Sequence, residues 1–321
     1  MIIRELRHEE EPVFNKLARS YGTIFNTIEW TGIFDTSITR YGIFSDGGEM
    51  IGGFIIYRER MFGLSVYRDP PYTPMIGPFL RVDASNPVAI MSRWKDAVDA
   101  MANLIERLPY SIVSLSLNTV LVDTQPFIWK KFKVTPVYTY ILDLTMPLDE
   151  LLKRMSNERR KNIQKATKDG LSVKEVTNYE DIASLVLKTF ARQNQQINTE
   201  YMRKILFTFA NRNNSYAFVT LKENLPVACS FVIHDDTTAY YLLGGYDNEL
   251  KHHGAGALSM WEAIKQAKQL GLQRFDFEGS MLPHIERYFR GFGGTLKPYF
   301  RINKARILYE IVLKFIRREL F

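Results

Sequence analysis

The sequence predicts an α/β protein of the α+β kind, with mixed, mostly antiparallel sheets flanked by helices and one unit occurring twice in tandem. Three observations predict it. From Leu171 onward the hydrophobic pattern switches between strand and helix periods in the order β-α-α-β-β-β-α-β-α-β. The first half repeats much of that order and shares short segments with the second. With 321 residues, 46% of them hydrophobic and 24% charged, the chain is long enough for two cores.

In the second half, strands are expected at Ser172–Val176, Tyr216–Lys222, Pro226–His234, Thr238–Leu243, Gln273–Phe277 and Leu296–Ile302. β-Branched and aromatic residues cluster in these runs, between turn formers such as Asp235-Asp236. Helices are expected over Tyr179–Arg192, Thr199–Asn211, Gly256–Leu270 and Pro283–Arg290. In the first half the same succession runs through strand Ile2–Leu6, a helical stretch to Tyr21, and a hairpin Tyr41–Phe54 about Asp46-Gly-Gly48. Helix Asn86–Leu108 and strand Ser111–Leu117 continue it. Ser92-Arg-Trp94 mirrors Ser259-Met-Trp261, Phe127–Phe132 resembles Arg287–Phe292, and Pro136-Val-Tyr138 echoes Pro298-Tyr299. The linker is expected near Met146-Pro147, which gives domains 1–147 and 148–302, with the apolar segment 303–321 packing back on the first.

The opening residues lack the basic region, apolar core and cleavage site of a signal peptide, and no apolar run is long enough to span a bilayer. A cytoplasmic location is the expectation. The single cysteine, Cys229, sits in an apolar run and reads as a buried strand residue. A formal charge of +7 favours anionic partners: nucleic acid, a nucleotide cofactor or a lipid head group.

The most informative stretch is Thr238 to Gly256. The run Ala239-Tyr-Tyr-Leu-Leu243 ends in Gly244-Gly245 and leads through Lys251-His-His-Gly254-Ala-Gly256 into helical periodicity. Glycine lets a backbone approach a ligand, and a helix N-terminus offers free N–H groups and a positive dipole end. The segment is therefore a candidate cradle for a phosphate-bearing ligand. At the matching place the first half has Pro70-Pro-Tyr-Thr-Pro-Met-Ile-Gly-Pro78, whose prolines remove the needed N–H donors. An acceptor-site or purely structural role is expected there.

Four segments, Tyr138–Asp143, Arg160-Lys-Asn-Ile-Gln-Lys-Ala166, Tyr240–Gly245, and Phe275–Gly279 with Phe292-Gly-Gly294, resemble those of the Fem-type branch of the GNAT acyltransferase superfamily. This branch comprises the peptidoglycan interpeptide-bridge aminoacyltransferases and their relatives. The resemblance covers nearly the whole chain and implies two tandem GNAT-like domains and an acyl donor, either aminoacyl-tRNA or acyl-CoA. It also implies an amine acceptor on a cell-envelope precursor, which the apolar tail would meet at the membrane surface if it does not dock on the first domain. Family members commonly carry a lysine just before the position of Arg290, where this chain has Phe289, and the coiled-coil arm of some members is absent.

Within that frame each candidate residue has a role and a plainer alternative. Gly244 and Gly245 are expected to form a bulge whose N–H polarises the donor carbonyl, or simply to end the strand. Lys251, Gly254 and Gly256 match the GNAT cofactor signature with lysine in the first place, and His253 lies inside it. With Gly244, Gly245 and Arg290 they make up the cofactor set. Asp276 and Glu278 share one strand face, where either could take a proton from the incoming amine or pair with Arg274. Tyr288 compares with the tyrosine that protonates the leaving thiolate in many acetyltransferases, although Gly291 follows it by three residues rather than four. Between Leu151 and Gly170 seven Lys or Arg stand against two acids. Ile163, Ala166 and Leu171 mark the buried side, which leaves Arg159, Arg160, Lys161, Lys165 and Lys168 to solvent or a cleft. Arg160, Asn162 and Lys165 are the candidates for anion recognition. The adjacent His252 and His253 lack metal-ligand spacing, so no metal is expected.

Overall fold

The structure, a computed structural model, describes residues 1–193, 196–279 and 281–320. Its contacts divide the chain into two units, one of residues 1–137 with 298–321 and one of residues 138–297. The Met146-Pro147 segment expected as the linker lies inside the second.

In chain order the first unit contains β1 (Ile2–Glu5), α1 (Glu11–Tyr21), α2 (Ile28–Thr31), β2 (Ile38–Phe44), β3 (Met50–Met61), β4 (Leu64–Arg68), β5 (Phe79–Leu80), α3 (Pro87–Arg107), β6 (Ile112–Ser116) and α4 (Gln125–Trp129). Strand β7 (Lys133–Asp143) carries the chain into the second unit. Next come α5 (Leu148–Arg154), α6 (Asn157–Lys168), β8 (Ser172–Glu175), α7 (Glu180–Arg192), α8 (Thr199–Lys204), β9 (Ser215–Lys222), β10 (Leu225–His234), β11 (Thr238–Tyr246), α9 (Ala255–Gln269), β12 (Arg274–Asp276) and α10 (Pro283–Arg290). Strand β13 (Thr295–Ala305) and helix α11 (Ile307–Ile316) return the chain to the first unit. The helix expected over Thr199–Asn211 is split, α8 giving way to a π-helical turn at Ile205–Phe209.

The strand order in the first unit is β1-β2-β3-β4-β6-β13, with β5 on β3. In the second it is β8-β9-β10-β11-β12-β7. Each sheet contains one parallel contact, β4 with β6 and β11 with β12, and each is bridged by a helical crossover, α3 or α9. The sixth strand of each is taken from the other half of the sequence. Strand β13 lies against β6, with Arg301 opposite Ser116 and Ala305 opposite Ile112. Strand β7 lies against β12, with Asp143 opposite Arg274 and Ile141 opposite Asp276.

Burial follows the apolar pattern. Phe14, Phe25, Trp30, Phe34, Phe54 and Phe79 are fully buried in the first unit. In the second, α9 presents Ala257, Met260, Trp261, Ile264 and Ala267 to a core shared with Val232, Phe275, Phe277 and Phe292. Cys229 is buried in β10 and its thiol is pushed up to about 12 by desolvation, so it is a packing residue.

Strand β13 also gives the first unit a hydrogen bond from Leu117 N–H to the Phe300 carbonyl at 2.7 Å and one from Ser114 Oγ to Asn303 Oδ1 at 2.8 Å. Deleting residues 298–321 is expected to leave β6 with an unpaired edge. Limited proteolysis should then show cleavage within residues 1–137 accelerated at least about tenfold, with residues 138–297 still resistant.

Candidate functional site

The site in the second unit begins where two strands part. Strand β11 pairs with β10 along its length, but with β12 only at Thr238–Arg274, Ala239–Phe275 and Tyr240–Asp276. Beyond Tyr240 it continues to Tyr246 with no strand on that edge among the described residues, leaving backbone groups available to an extended ligand.

The bulge expected at Gly244-Gly245 lies earlier. Phe231 opposes Leu243 and Val232 opposes Tyr241, so the extra residue is Leu242, while Gly244 and Gly245 pair in register with Ser230 and Cys229. Packing explains both glycines. A β-carbon on Gly245 would stand 2.6 Å from the Leu185 carbonyl carbon and 2.7 Å from the Val186 nitrogen of α7, and one on Gly244 would overlap the Tyr241 hydroxyl.

The glycines at the start of α9 have separate tasks. Gly254 is the N-cap, and a β-carbon there would overlap the Asn162 carbonyl oxygen of α6, so its bareness lets two helices cross. Its N–H donates to His252 Nδ1 at 3.1 Å, which places the imidazole proton on Nε2, 3.0 Å from Asp169 Oδ2. Gly256 is different, because a β-carbon there would meet only the Tyr288 hydroxyl, at 3.4 Å. No hydrogen-bond acceptor is found for the N–H groups of Gly256 and Ala257 among the described residues. Two free amides therefore stand at the positive end of a 15-residue helix. Lys251 and His253 are exposed beside them.

Under Tyr288 lies a cation that the sequence pattern put outside. Arg159 is 5% exposed, with its guanidinium 4.5 Å from the Tyr288 ring centroid and 5.5 Å from that of Phe292. Among the described residues its one carboxylate neighbour, Glu158, is 3.8 Å away, and its buried Nε has no hydrogen-bond partner. Arg159 precedes Ile163 by one helical turn, so it belongs to the buried stripe of α6, and that spacing was the signal for its burial. Burial pushes the Tyr288 hydroxyl up to about 12, against the opposing pull of the Arg159 charge, so it keeps its proton at neutral pH.

Of the other basic candidates, Arg160, Lys165 and Arg290 are occupied. Arg160 donates to the Lys153 and Met155 carbonyls, each at 2.7 Å, and to Asn157, closing the C-terminus of α5. Lys165 binds Asp169 at 2.7 Å. Asn162 contributes its main-chain carbonyl to the Gly254 crossing. Arg290 pairs along its helix with Glu286 at 3.0 Å, and Glu286 also accepts from the Tyr140 hydroxyl at 2.5 Å.

The two carboxylates, expected on one strand face, are separated by the end of β12 at Asp276. Asp276 is 3% exposed, and its Oδ1 accepts from the Thr139 hydroxyl and, at 2.8 Å, from the Glu278 N–H. Desolvation still pushes its carboxyl up to about 6. The alternative partner, Arg274, forms no ion pair with it among the described residues, and its charge only tempers that rise. Glu278 is left-handed (φ 56°), followed by Gly279 (φ 69°), where a β-carbon would overlap the Tyr138 carbonyl oxygen. The residue is half-buried, but its Oε1 is shut off from solvent with no partner among the described residues. Burial, and then the charge of Asp276, raises its carboxyl well above the usual range.

Two outcomes are expected. Gly254→Ala should lower stability by about 1–3 kcal/mol through overpacking, whereas Gly256→Ala should leave the melting temperature unchanged or raised, read by thermal denaturation. Because Asp276 ionises harder folded than unfolded, its contribution to stability falls as pH rises from about 4 to about 6, by up to roughly 3 kcal/mol. Asp276→Asn should abolish that part of the slope in urea titrations across this window.

Comparison with known proteins falls on the same residues. Residues 153–290 match the family described as an acetyltransferase (GNAT) domain, a span that holds α6, β11, α9 and α10. Among solved structures, the chain is similar to FemX, with a TM-score of 0.69 and 15% identity over 97% of this chain and 100% of that one. It is similar also to the C-terminal domain of a putative lysylphosphatidylglycerol synthetase from Agrobacterium fabrum (TM-score 0.58, 11% identity, 95% and 96% covered). L-PGS from Bacillus licheniformis is a third (TM-score 0.55, 11% identity, 100% and 99% covered). No curated protein sequence matches. Residues 153–290 therefore match an acetyltransferase (GNAT) domain, and the chain has a fold similar to that of FemX.

Proposed function

We propose that the protein transfers an aminoacyl or acyl group to an amine of a peptidoglycan or other cell-envelope precursor on the cytoplasmic side. The observation that carries this reading is the pair of amides at Gly256 and Ala257, without an acceptor among the described residues, at the start of the helix that follows the unpaired stretch of β11. An anionic part of the donor binds the helix terminus, and its carbonyl lies against the free strand edge. Arg159 supplies buried positive charge beneath Tyr288, which favours an anion at that mouth.

The amine nitrogen forms a bond to the donor carbonyl carbon, and the bond to the leaving oxygen or sulfur breaks. Glu278 accepts the amine proton and afterwards releases it to solvent, a task suited to a carboxyl with a raised pKa. Tyr288, protonated at neutral pH, gives its proton to the leaving group and is re-protonated from water.

The resemblance of Arg160–Ala166 and Tyr240–Gly245 to segments of the Fem-type branch favours a charged-tRNA donor. A second reading, an acyl-CoA-dependent N-acyltransferase acting on a sugar, lipid or small amine, is favoured by the match to an acetyltransferase domain and by Lys251-x-x-Gly-x-Gly256 at the start of α9. Screening charged tRNA against CoA thioesters, with mass spectrometry of an amine pool that includes peptidoglycan precursors, decides between them. Transfer from neither donor would overturn both.

Glu278→Gln should reduce kcat by about 10²-fold or more and remove the limb of the pH profile that rises with deprotonation of this carboxyl. Tyr288→Phe should cost a similar factor while donor affinity holds. Arg159→Met should raise the donor Kd by about tenfold with kcat preserved, and Gly256→Val should abolish donor binding in a folded protein, both read by calorimetry.

A further inference from the structure

Helix α11 leaves its apolar side bare. Ile307, Leu308, Ile311, Val312, Phe315 and Ile316 are each 53% to 86% exposed. At helical spacing they cover one half of the ten-residue helix. Glu310 and Lys314, paired at 2.8 Å, lie on the opposite half and line a pocket in the first unit. That pocket, of about 390 Å³, is bordered by Lys131, Phe132, Lys133, Lys304 and Lys314, with Glu310 the one acid among the described lining residues and Glu106 paired with Lys304 at 2.5 Å beside it. Lys133 Nζ donates to the Arg318 carbonyl at 2.7 Å, which ties the basic segment after the helix to the pocket rim.

Apolar side chains on one half of the helix and an excess of positive charge on the other, where Lys131, Lys133 and Arg318 add to the paired Lys304 and Lys314, restrict what can cover this face. A second copy packed on the apolar half would leave the cations of the opposite half without a counter-charge. An anionic bilayer surface meets both demands, with the acyl boundary taking the isoleucine, leucine and phenylalanine side chains and the headgroup phosphates meeting the lysines and arginines. Ten residues of helix reach about 15 Å, half the hydrocarbon thickness, so α11 would lie in the interface rather than cross it.

We propose that α11 and the lysine pocket beside it form a docking surface for anionic phospholipid, laying the chain on a membrane in the plane of the interface. The proposal is independent of the donor chemistry above.

The test is sedimentation of the full chain with vesicles of phosphatidylcholine alone and of phosphatidylcholine with about one-third phosphatidylglycerol, at low and high salt. Half-maximal binding is expected at no less than about tenfold lower lipid on the anionic vesicles, and should weaken with salt. Ile311→Glu with Phe315→Glu should reduce binding at least about tenfold, and Lys131→Gln with Arg318→Gln by roughly fivefold per cation, with melting temperatures unchanged. Four results would overturn the proposal: equal binding to both vesicles, binding to neither, folded variants that bind like wild type, or a wild-type dimer in sedimentation velocity that the α11 variants dissociate. Should the variants not fold, the vesicle and salt comparison on wild type still decides.

Discussion

One carboxylate organises the centre of the second unit. Strand β12 is only three residues long, too short for its ladder alone to fix the turn at its end. Asp276, at the last position of the strand, takes the Thr139 hydroxyl from β7 and the Glu278 amide from the outgoing turn, so three chain segments converge on one oxygen. A carboxyl buried to this degree is unfavourable unless its acceptors are used, and here they are used locally. The ladder with β11 stops at this point, the chain turns through two left-handed residues, and β11 runs on with an open edge. The open edge and the Glu278 oxygen that has no partner among the described residues both lie next to this bond set.

Neighbouring cations on α6 show how position, rather than residue type, decides what a charge does. Arg160 is committed to main-chain carbonyls at the end of α5, and Lys165 to a carboxylate one turn along. Arg159 has instead exchanged water for two aromatic rings, with Glu158, 3.8 Å away, as its one carboxylate neighbour among the described residues. A desolvated guanidinium held this way projects a stronger field than an exposed one. Its direction of influence is visible in the lowering pull it exerts on the Tyr288 hydroxyl.

Much of this fold was legible because local signals agree with tertiary packing. Helix α10 begins at Pro283 and stops before Gly291, as its proline and glycine announce, and the α9 helix and the β9 and β10 strands fall within a residue or two of their expected ends. The outer part of β3 was hidden by its charged residues, Arg58-Glu-Arg60, and the five-residue β4 that follows it went unread with it. In the site, the glycine-rich opening of α9 could be read, but not the division of labour within it. That Gly254 and Gly245 serve helix packing, while a β-carbon on Gly256 would meet only the Tyr288 hydroxyl, depends on the approach of α6, α7 and α10, which no spacing in sequence encodes. The burial of Arg159 could have been read from its position one turn before Ile163, had its charge not been given precedence over its phase.

The exchange of closing strands sets an order of events during synthesis. Strand β6 is made early, yet the strand that covers its edge, β13, is separated from it by nearly the whole second unit. Residues 138–297 leave the ribosome with all six of their strands before the first unit has its last. The amino-terminal sheet must therefore wait with a bare edge while its neighbour folds, which reverses the usual vectorial sequence and makes β6 the segment most in need of chaperone cover. Closing that edge joins residues far apart along the chain, a large loop entropy to overcome, so docking of β13 is expected to be the slow step in refolding.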